Sequence, residues 1–386
     1  MRKSLLLCII PLCICCYNKG TNNHVSTSDN VSIIDLDKDY DKDVSIFDFC
    51  NTVEIVELEN DSESLVSEEG TICFAYGDTS FFVLGKEDYL LKEFDYNGKL
   101  LSITNKFGRG PGEFSMAQDM IINKFSNTLD ILNPMGLIYK YVLYDMSWVE
   151  TIDISNRIKA VHYLAALSSD RYILYSLSDS PRLFIYSISE NSFHPLDVSI
   201  PTWLTMTSFC GGGSPFYQMK EQVKFVIKYD GTICEVGEDY FAIDKKWDLG
   251  KYTFSPDLVE PEKDYFYYSD LLNRTTRKFA TTFTRTAESP QYLIQNFRFK
   301  SPFPLNSVLY DKRNNKVKWF RKTKENVYVL AGIIRNGTMY YVFNSEIRDL
   351  LVNERILSDE LSIETYKRLT DESNAVLIKY TLNNNE

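Results

Sequence analysis

Short apolar runs separated by turn residues recur along most of the chain, and they constrain its fold more than any other feature. From Thr71 onward these runs are rich in Val, Ile, Tyr and Phe, which favour strands. The 26 Tyr and 24 Phe among 386 residues strengthen that preference, and 44% hydrophobic residues are enough to fill a large core. Long helical patterns are nearly absent before the C-terminal part. The sequence therefore predicts an all-β fold.

The strand-like runs fall into groups of four. One group comprises Met120–Asn123, Thr128–Leu132, Leu137–Leu143 and Trp148–Ile154, and another comprises Lys159–Ala166, Arg171–Leu177, Leu183–Ile188 and His194–Ile200. Repeated units of four short antiparallel strands are typical of the blades of a β-propeller. The units differ too much in sequence for self-similarity to set the number of blades.

Three dipeptides predict tight hairpin turns between such runs: Asn97-Gly98, Asp230-Gly231 and Asn336-Gly337. A type I′ turn needs positive φ at both central residues, so we expect that turn at Asn97-Gly98.

The aromatic run Tyr265–Tyr268 has two interpretations. Its rings are either part of the core, or they form an exposed surface that stacks on sugar rings.

The C-terminal part combines helices with a final strand. Apolar residues at helical spacing predict two short helices, with Ile347, Leu350 and Leu351 on the first and Leu361, Tyr366 and Leu369 on the second. Ser358 is the predicted N-cap of the second helix. Ala375–Leu382 is a predicted strand that completes a blade shared with the other end of the chain, because this arrangement removes an exposed sheet edge.

A glycine-rich run, Lys106–Phe114, follows the first hairpin and has the sequence Lys-Phe-Gly-Arg-Gly-Pro-Gly-Glu-Phe. Its glycines can adopt backbone angles closed to other residues, and its proline fixes φ, so the run predicts a rigid loop. The spacing and context do not match a phosphate-binding loop. Two interpretations stay open: a structural connection between two sheets, or a binding surface. The candidate binding residues are Arg109, Gly110, Pro111, Gly112 and Glu113.

The glycine-rich run also resembles a known family. A Gly-Arg-Gly-Pro-Gly-Glu-Phe run after an Asn-Gly hairpin is similar to the six-bladed β-propeller lipoproteins of Bacteroidetes, which are related to NHL and TolB-like propellers. Glu54–Leu65 resembles the family's opening segment, and Glu372–Tyr380 resembles its closing strand, with Ala375 in place of the usual proline. The resemblance spans about Val44 to Leu382. It implies six blades and an envelope location; most members of the family have no assigned reaction.

The first 16 residues are typical of a lipoprotein signal peptide. Arg2 and Lys3 precede a short apolar core that ends in Cys15-Cys16. We predict cleavage before Cys16 and lipidation of its thiol, which would tether the protein to a membrane without a transmembrane helix. No acidic residues directly follow Cys16, and by family resemblance this favours an outer-membrane anchor that faces the periplasm over one at the cell surface. An ordinary cleaved signal is the alternative.

The predicted domain boundaries follow from these patterns. Residues 1–16 form the signal peptide, residues 17–43 form a flexible polar and acidic tether, and residues 44–386 form the propeller. The alternating aspartates from Asp35 to Asp43 lack the glycine and glutamate of an EF-hand, so we interpret them as solvated. The net charge of −11 makes nucleic acid an unsuitable partner.

Recognisable catalytic motifs are absent from the sequence. The 3 His have no zinc-binding spacing, and no Gly-x-Ser-x-Gly motif provides a hydrolase nucleophile. Four cysteines follow the signal peptide: Cys50, Cys73, Cys210 and Cys234. The sequence does not decide whether they form disulfides, in which pairs, or whether they are free thiols. Glu113 and Asp119 could approach the mouth of a central channel, or lie on the surface.

Three functions are compatible with these features. The first is a non-catalytic recognition module for an envelope protein or a glycan, with no cofactor. The second, implied by related propeller lactonases, is a metal-dependent hydrolase or lyase that holds calcium with channel carboxylates. The third is a purely structural envelope lipoprotein. The fold alone does not choose among them.

Overall fold

A computed structural model of the protein describes residues 26–27, 31–38, 40–66, 71–86, 89–158, 160–176, 182–196, 198, 213–238, 240–260, 263–300 and 305–383. The predicted signal peptide, Cys16 and Cys210 lie outside these residues.

The described part of the chain is built mainly from strands. In chain order they are β1 (Ser26–Thr27), β2 (Val31–Ile33), β3 (Cys50–Glu57), β4 (Thr71–Tyr76), β5 (Ser80–Gly85), β6 (Leu90–Asp95), β7 (Leu100–Asn105), β8 (Asp119–Asn123), β9 (Thr128–Asn133), β10 (Leu137–Val142), β11 (Trp148–Asp153), β12 (Val161–Ala166) and β13 (Arg171–Ser176). The second half contains β14 (Leu183–Ser187), β15 (Ser192–Leu196), β16 (Phe216–Met219), β17 (Gln222–Ile227), β18 (Thr232–Val236), β19 (Phe241–Asp248), β20 (Thr281–Glu288), β21 (Tyr292–Arg298), β22 (Asn306–Asp311), β23 (Lys316–Phe320), β24 (Ile333–Arg335), β25 (Thr338–Phe343) and β26 (Val376–Leu382).

These strands form a six-bladed β-propeller of four-stranded antiparallel blades, which confirms the predicted fold class. Blades 1 to 5 are β4–β7, β8–β11, β12–β15, β16–β19 and β20–β23. Blade 6 combines both ends of the chain, in the order β24-β25-β26-β3. The third strand of this blade is the predicted C-terminal strand, and its outermost strand is the N-terminal β3, with Tyr380 opposite Val53. The two ends therefore close the ring by sharing a sheet.

The core lies between blades rather than at one centre. Six clusters of buried apolar side chains fill the spaces between neighbouring blades around the ring. Successive residues of a strand point to opposite faces, so each blade contributes to the cluster on either side. On β26, Leu377 packs towards blade 1 and Ile378 towards blade 5, and both are fully buried.

The three predicted hairpins form, but the turn at Asn97-Gly98 differs from the expected type I′. Only Gly98 has positive φ, and Asp95 Oδ1 accepts hydrogen bonds from the backbone N–H groups of Asn97 and Lys99. The aspartate side chain stabilises a longer loop with a bulge, which needs one left-handed residue instead of two. At Asn336-Gly337 both residues have positive φ, as a type I′ turn requires.

The helices differ from the prediction in two places. The described helices are α1 (Tyr265–Thr275), α2 (Arg348–Leu351) and α3 (Glu360–Arg368). The prediction missed α1; on it, the aromatic run is split, since Phe266 is 81% exposed and Tyr268 is 2% exposed. Asp359, not Ser358, caps α3 by accepting the N–H of Ser362. The Ser358 hydroxyl instead accepts the N–H of Val53 on β3.

None of the described helices is both long enough and apolar enough to cross a bilayer.

The described part of the predicted tether packs against the propeller. Strand β2 pairs in parallel with the outermost strand of blade 4, and Ile34 and Leu36 are almost fully buried in the cluster between blades 4 and 5. Asp41 Oδ2 forms an ion pair with Lys318 Nζ on blade 5 at 2.8 Å. Residues 31–38 and 40–43 thus belong to the folded domain. Their apolar side chains, Ile34 and Leu36 among them, pack in a groove between blades that the acidic composition does not predict.

Three of the four cysteines considered above are described, and all three are free thiols. Burial raises the pKa of the Cys50 and Cys73 thiols well above the usual value. These side chains therefore act as small apolar groups.

Candidate functional site

A cavity of about 510 Å³ lies on the axis of the propeller. The first strand of every blade contributes to its wall: β4, β8, β12, β16, β20 and β24. Such a volume suits a small ligand or the end of a larger one. Since the wall is built from strands of six rigid blades, the positions of its side chains are fixed by the fold.

The described wall of this cavity is basic. Its charged side chains are Lys124, Lys228, Arg285, Arg335 and Asp119. The whole chain carries a net charge of −11, so four cations and one carboxylate in the cavity are the reverse of the overall balance. A concave, partly desolvated wall of one sign attracts ligands of the opposite sign.

Two arginines and two tyrosines form one side of the cavity: Tyr76, Arg285, Arg335 and Tyr341, here called the tyrosine–arginine cluster. The Arg285 guanidinium lies 4.7 Å from the centroid of the Tyr341 ring. Arg335 donates hydrogen bonds to the carbonyl oxygens of Ile334 at 3.0 Å and Tyr76 at 3.3 Å. Burial raises the pKa of Tyr76 far above its usual value, so its hydroxyl stays protonated at neutral pH. The cluster thus presents hydrogen-bond donors and aromatic rings together.

Asp119 and Lys228 line another part of the wall. Asp119 is 5% exposed, and its Oδ2 accepts the backbone N–H of Leu164 at 3.0 Å. Burial raises the pKa of Asp119 to about 7, against the smaller lowering by hydrogen bonds from Leu164 and Met120 and by the charge of Lys228. Lys228 Nζ donates to the carbonyl of Gly213 at 2.6 Å. The carboxyl group therefore changes charge near neutral pH.

The glycine-rich loop is held rigidly, as its sequence predicts. Glu113 Oε2 accepts the N–H of Gly110 at 2.8 Å, and the backbone N–H groups of Gly108 and Phe114 bond across the base of the loop. Gly112 has φ +71° and is covered by the Trp148 side chain, so a Cβ there would lie 2.5 Å from that ring. The loop joins the outermost strand of blade 1 to the first strand of blade 2.

The candidate residues of this loop do not line the cavity. Arg109, Pro111 and Glu113 are exposed, Gly110 is half-buried, and Gly112 is buried. Of the two carboxylates for which a channel position and a surface position both stayed open, Asp119 lies in the cavity wall and Glu113 is exposed outside it. The local bond from Gly110 to Glu113 agrees with the structural interpretation of the loop, and the role of Arg109 to Glu113 in binding stays a prediction.

Sequence reasoning did not select Arg285 or Arg335. Both lie in strands that also carry apolar residues, and nothing in a single strand shows that its edge faces the axis. A charged residue in the first strand of a blade would have indicated a position in the cavity wall. That signal can be used only when the boundaries of the blades are known, and the sequence did not provide them.

The residues present do not fit a calcium site of the lactonase kind. Among the described residues, no group of three or more His, Cys, Asp or Glu side chains is arranged to hold a metal ion. Asp119 is the only carboxylate in the described wall. Calcium takes six to eight oxygen ligands with several carboxylates among them. We therefore derive no reaction through a metal.

The fold and this cavity define the protein as a six-bladed β-propeller with a basic, tyrosine-containing central cavity. By sequence, residues 31–381 match the family described as "Domain of unknown function (DUF4934)", and the chain belongs to that family. The match begins at Val31, the first residue of β2.

Solved structures with a similar fold include two from Bacteroides. One is described as a "Putative exported protein" of Bacteroides fragilis, with TM-score 0.69, 15% identity, and coverage of 92% of this chain and 99% of that one. Another is a member of the DUF4221 family from Bacteroides vulgatus, with TM-score 0.51, 8% identity, and coverage of 86% and 97%. No curated protein matches this chain significantly in sequence. These likenesses concern the fold.

Proposed function

We propose that the protein is an envelope-anchored, non-catalytic recognition module whose central cavity binds a glycan. The observation that carries the proposal is the cavity of about 510 Å³, to which all six blades contribute and which is lined by aromatic rings, hydroxyl groups and two guanidinium groups. Apolar C–H faces of sugar rings pack on tyrosine rings, and sugar hydroxyls exchange hydrogen bonds with polar groups of this kind.

The two other functions have less support. A hydrolase with channel carboxylates needs more than one acidic group near the axis, and Asp119 is the only one in the described wall. A purely structural lipoprotein gives no reason for a cavity wall whose charge is opposite to that of the whole chain, because burying several charges of one sign costs stability.

The envelope location is part of the proposal. It is supported by the lipoprotein-like pattern that ends at Cys16, and by the likeness to a Bacteroides protein described as exported. We propose an outer-membrane anchor through a lipid on Cys16, with the propeller facing the periplasm. The exposed Arg109 is the side chain of the glycine-rich loop that would contact a partner.

Blocking the cavity tests the recognition function. The variants Ala165→Trp and Thr286→Trp place a large ring in the wall, and Lys316→Trp places the same ring at an exposed position on blade 5. On an array of neutral and acidic glycans, we expect wild type and Lys316→Trp to bind the same members, and both cavity variants to lose about tenfold or more in affinity. Circular dichroism and melting confirm that each variant is folded.

Two results would contradict the recognition function. One is the absence of any bound glycan, and the other is equal binding by the cavity variants and wild type. Calcium-dependent hydrolysis of a lactone by the purified protein would favour the enzymatic alternative instead.

The anchor has a separate test. In cells grown with labelled palmitate, wild type is expected to carry the label in the membrane fraction, and Cys16→Ala is expected to lose it, because the thiol of Cys16 is the predicted lipid acceptor. Cys15→Ala serves as the matched control and keeps the label. Label retained by Cys16→Ala would show that lipid is attached elsewhere.

A further inference from the structure

The cavity is selective by charge as well as by shape. We propose that its ligand is an acidic saccharide, whose carboxylate is bound by Arg285 and Arg335 and whose ring packs on Tyr76 or Tyr341. This inference rests on the proposed recognition function and specifies the class of glycan.

The two arginines carry the argument for a carboxylate. Both are half-buried side chains on the first strands of neighbouring blades, β20 and β24. Both are close to Tyr76: Arg335 donates a hydrogen bond to its carbonyl oxygen, and the charge of Arg285 acts on the pKa of its hydroxyl. Arg335 is oriented by the two carbonyl oxygens it contacts, which leaves the planar guanidinium fixed at the wall. A guanidinium has five N–H donors, and two carbonyl bonds do not use all of them. Paired guanidinium groups in a concave wall are suited to a planar carboxylate.

A second observation at the same place concerns a hydroxyl group. The Thr284 Oγ1 atom is buried and has no hydrogen-bond partner among the described residues. It belongs to the cavity wall and immediately precedes Arg285. A buried hydroxyl without a partner destabilises the fold, and a ligand oxygen removes that cost once the Thr284 side chain turns towards the cavity.

The surroundings favour a sugar over a peptide as the source of the carboxylate. The wall adds the hydroxyls of Thr71, Thr284 and Thr286 to the tyrosine rings. This combination of many hydroxyls with flat apolar surfaces matches a pyranose ring, which has hydroxyl edges and C–H faces. Lys228 adds to the positive potential that brings an anionic chain to the cavity, whereas the charge of Lys124 is balanced by an ion pair with Glu221 at 2.6 Å.

Isothermal titration of the purified protein tests the inference with four probes. Trigalacturonate and trimannuronate are acidic saccharides, galactotriose is neutral, and N-acetyl-triglycine carries a carboxylate on a peptide. We expect at least one uronate trimer to bind, and to bind about tenfold or more tightly than galactotriose, with affinity that falls as sodium chloride is raised from about 50 to 500 mM.

Charge-removing variants locate the carboxylate. Arg285→Gln and Arg335→Gln are each expected to weaken uronate binding about tenfold or more, while the exposed Arg355→Gln leaves it unchanged. If Arg335→Gln does not fold, Arg335→Lys keeps the charge but not the bidentate geometry, and it is expected to weaken binding as well.

The outcomes separate this inference from the function on which it rests. Equal binding of galactotriose and the uronates, unchanged in the arginine variants but lost in Ala165→Trp, overturns the acidic specificity and leaves glycan recognition standing. Tighter binding of N-acetyl-triglycine than of both uronates assigns the site to peptide carboxylates and overturns the inference. If no saccharide binds through the cavity, both the inference and the proposed function are wrong.

Discussion

Removal of the last strand, β26, is expected to abolish the cooperative folding of the whole propeller. This strand pairs on one side with β25 and on the other with β3, so its loss leaves the N-terminal strand without a partner and opens the ring. Two clusters between blades also lose residues, since Leu377 belongs to the cluster with blade 1 and Ile378 to the cluster with blade 5. Circular dichroism of a chain ending at Asn374 should show no cooperative melt.

Point variants give the same prediction a graded form. Leu377→Ala and Ile378→Ala remove fully buried side chains, and each should lower the free energy of unfolding by about 2–5 kcal/mol. The matched control is Lys379→Ala, at a half-exposed position of the same strand, with an expected change within about 0.5 kcal/mol. A chain that lacks only residues 384–386 is the control for the truncation. A cooperative melt at the wild-type temperature without β26 would show that the ring does not depend on this closure.

The closure could be predicted from the sequence because its signals are local. Ala375–Leu382 is a mainly apolar run rich in β-branched and aromatic residues, and pairing both edges of a terminal strand removes an exposed sheet edge. The blade strands could be predicted for the same reason, since Thr128–Leu132 and its neighbours have strand composition between turn residues.

The errors arose where a distant contact decided the local structure. Residues 31–43 have the composition of a solvated segment, but Ile34 and Leu36 fill a groove between blades 4 and 5 that exists only in the folded ring. Asp359 replaced Ser358 as the helix cap because the Ser358 hydroxyl bonds to β3, which is about 300 residues away in sequence. In both cases the contact is with a part of the chain that is far away in sequence, so the local sequence does not reveal it.

The candidate site was the least predictable part for the same reason. Arg285 and Arg335 come together with Tyr76 only when blades 5, 6 and 1 surround the axis. The sequence drew attention to the glycine-rich loop, whose unusual composition reflects a local backbone requirement at Gly112 under Trp148. In this chain an unusual composition therefore indicates a constraint on the backbone. The charged side chains of the cavity wall lie in strands of ordinary composition, so composition does not reveal them.

The stability of the protein is expected to depend on the ionisation of Asp119. Burial raises the pKa of this carboxyl group to about 7, so the folded state favours its neutral form. A folded pKa above the unfolded value means that this stabilising contribution is complete below the unfolded pKa of about 3.9 and is lost as pH rises through about 7. At about 1.36 kcal/mol per pKa unit, the loss between pH 4 and pH 8 amounts to about 4 kcal/mol.

The variant Asp119→Asn isolates this contribution. Its amide oxygen still accepts the N–H of Leu164, but the side chain cannot ionise, so the penalty at high pH disappears. Urea unfolding at pH 5, 6, 7 and 8 should show that the variant gains stability relative to wild type as pH rises, by a total of about 2–4 kcal/mol. The groups that act on this carboxyl, Lys228 and Cys73, are the same in both proteins.

The control for this experiment is Asp145→Asn. Asp145 is exposed, and hydrogen bonds from Ser147 lower its pKa, so it is ionised throughout this pH range and its substitution should give a difference that does not change with pH. If the wild-type and Asp119→Asn curves run parallel between pH 5 and pH 8, Asp119 is ionised in the folded protein at all these values. The cavity would then carry a permanent negative charge opposite Lys228, and its attraction for anions would be weaker than the buried, neutral carboxyl allows.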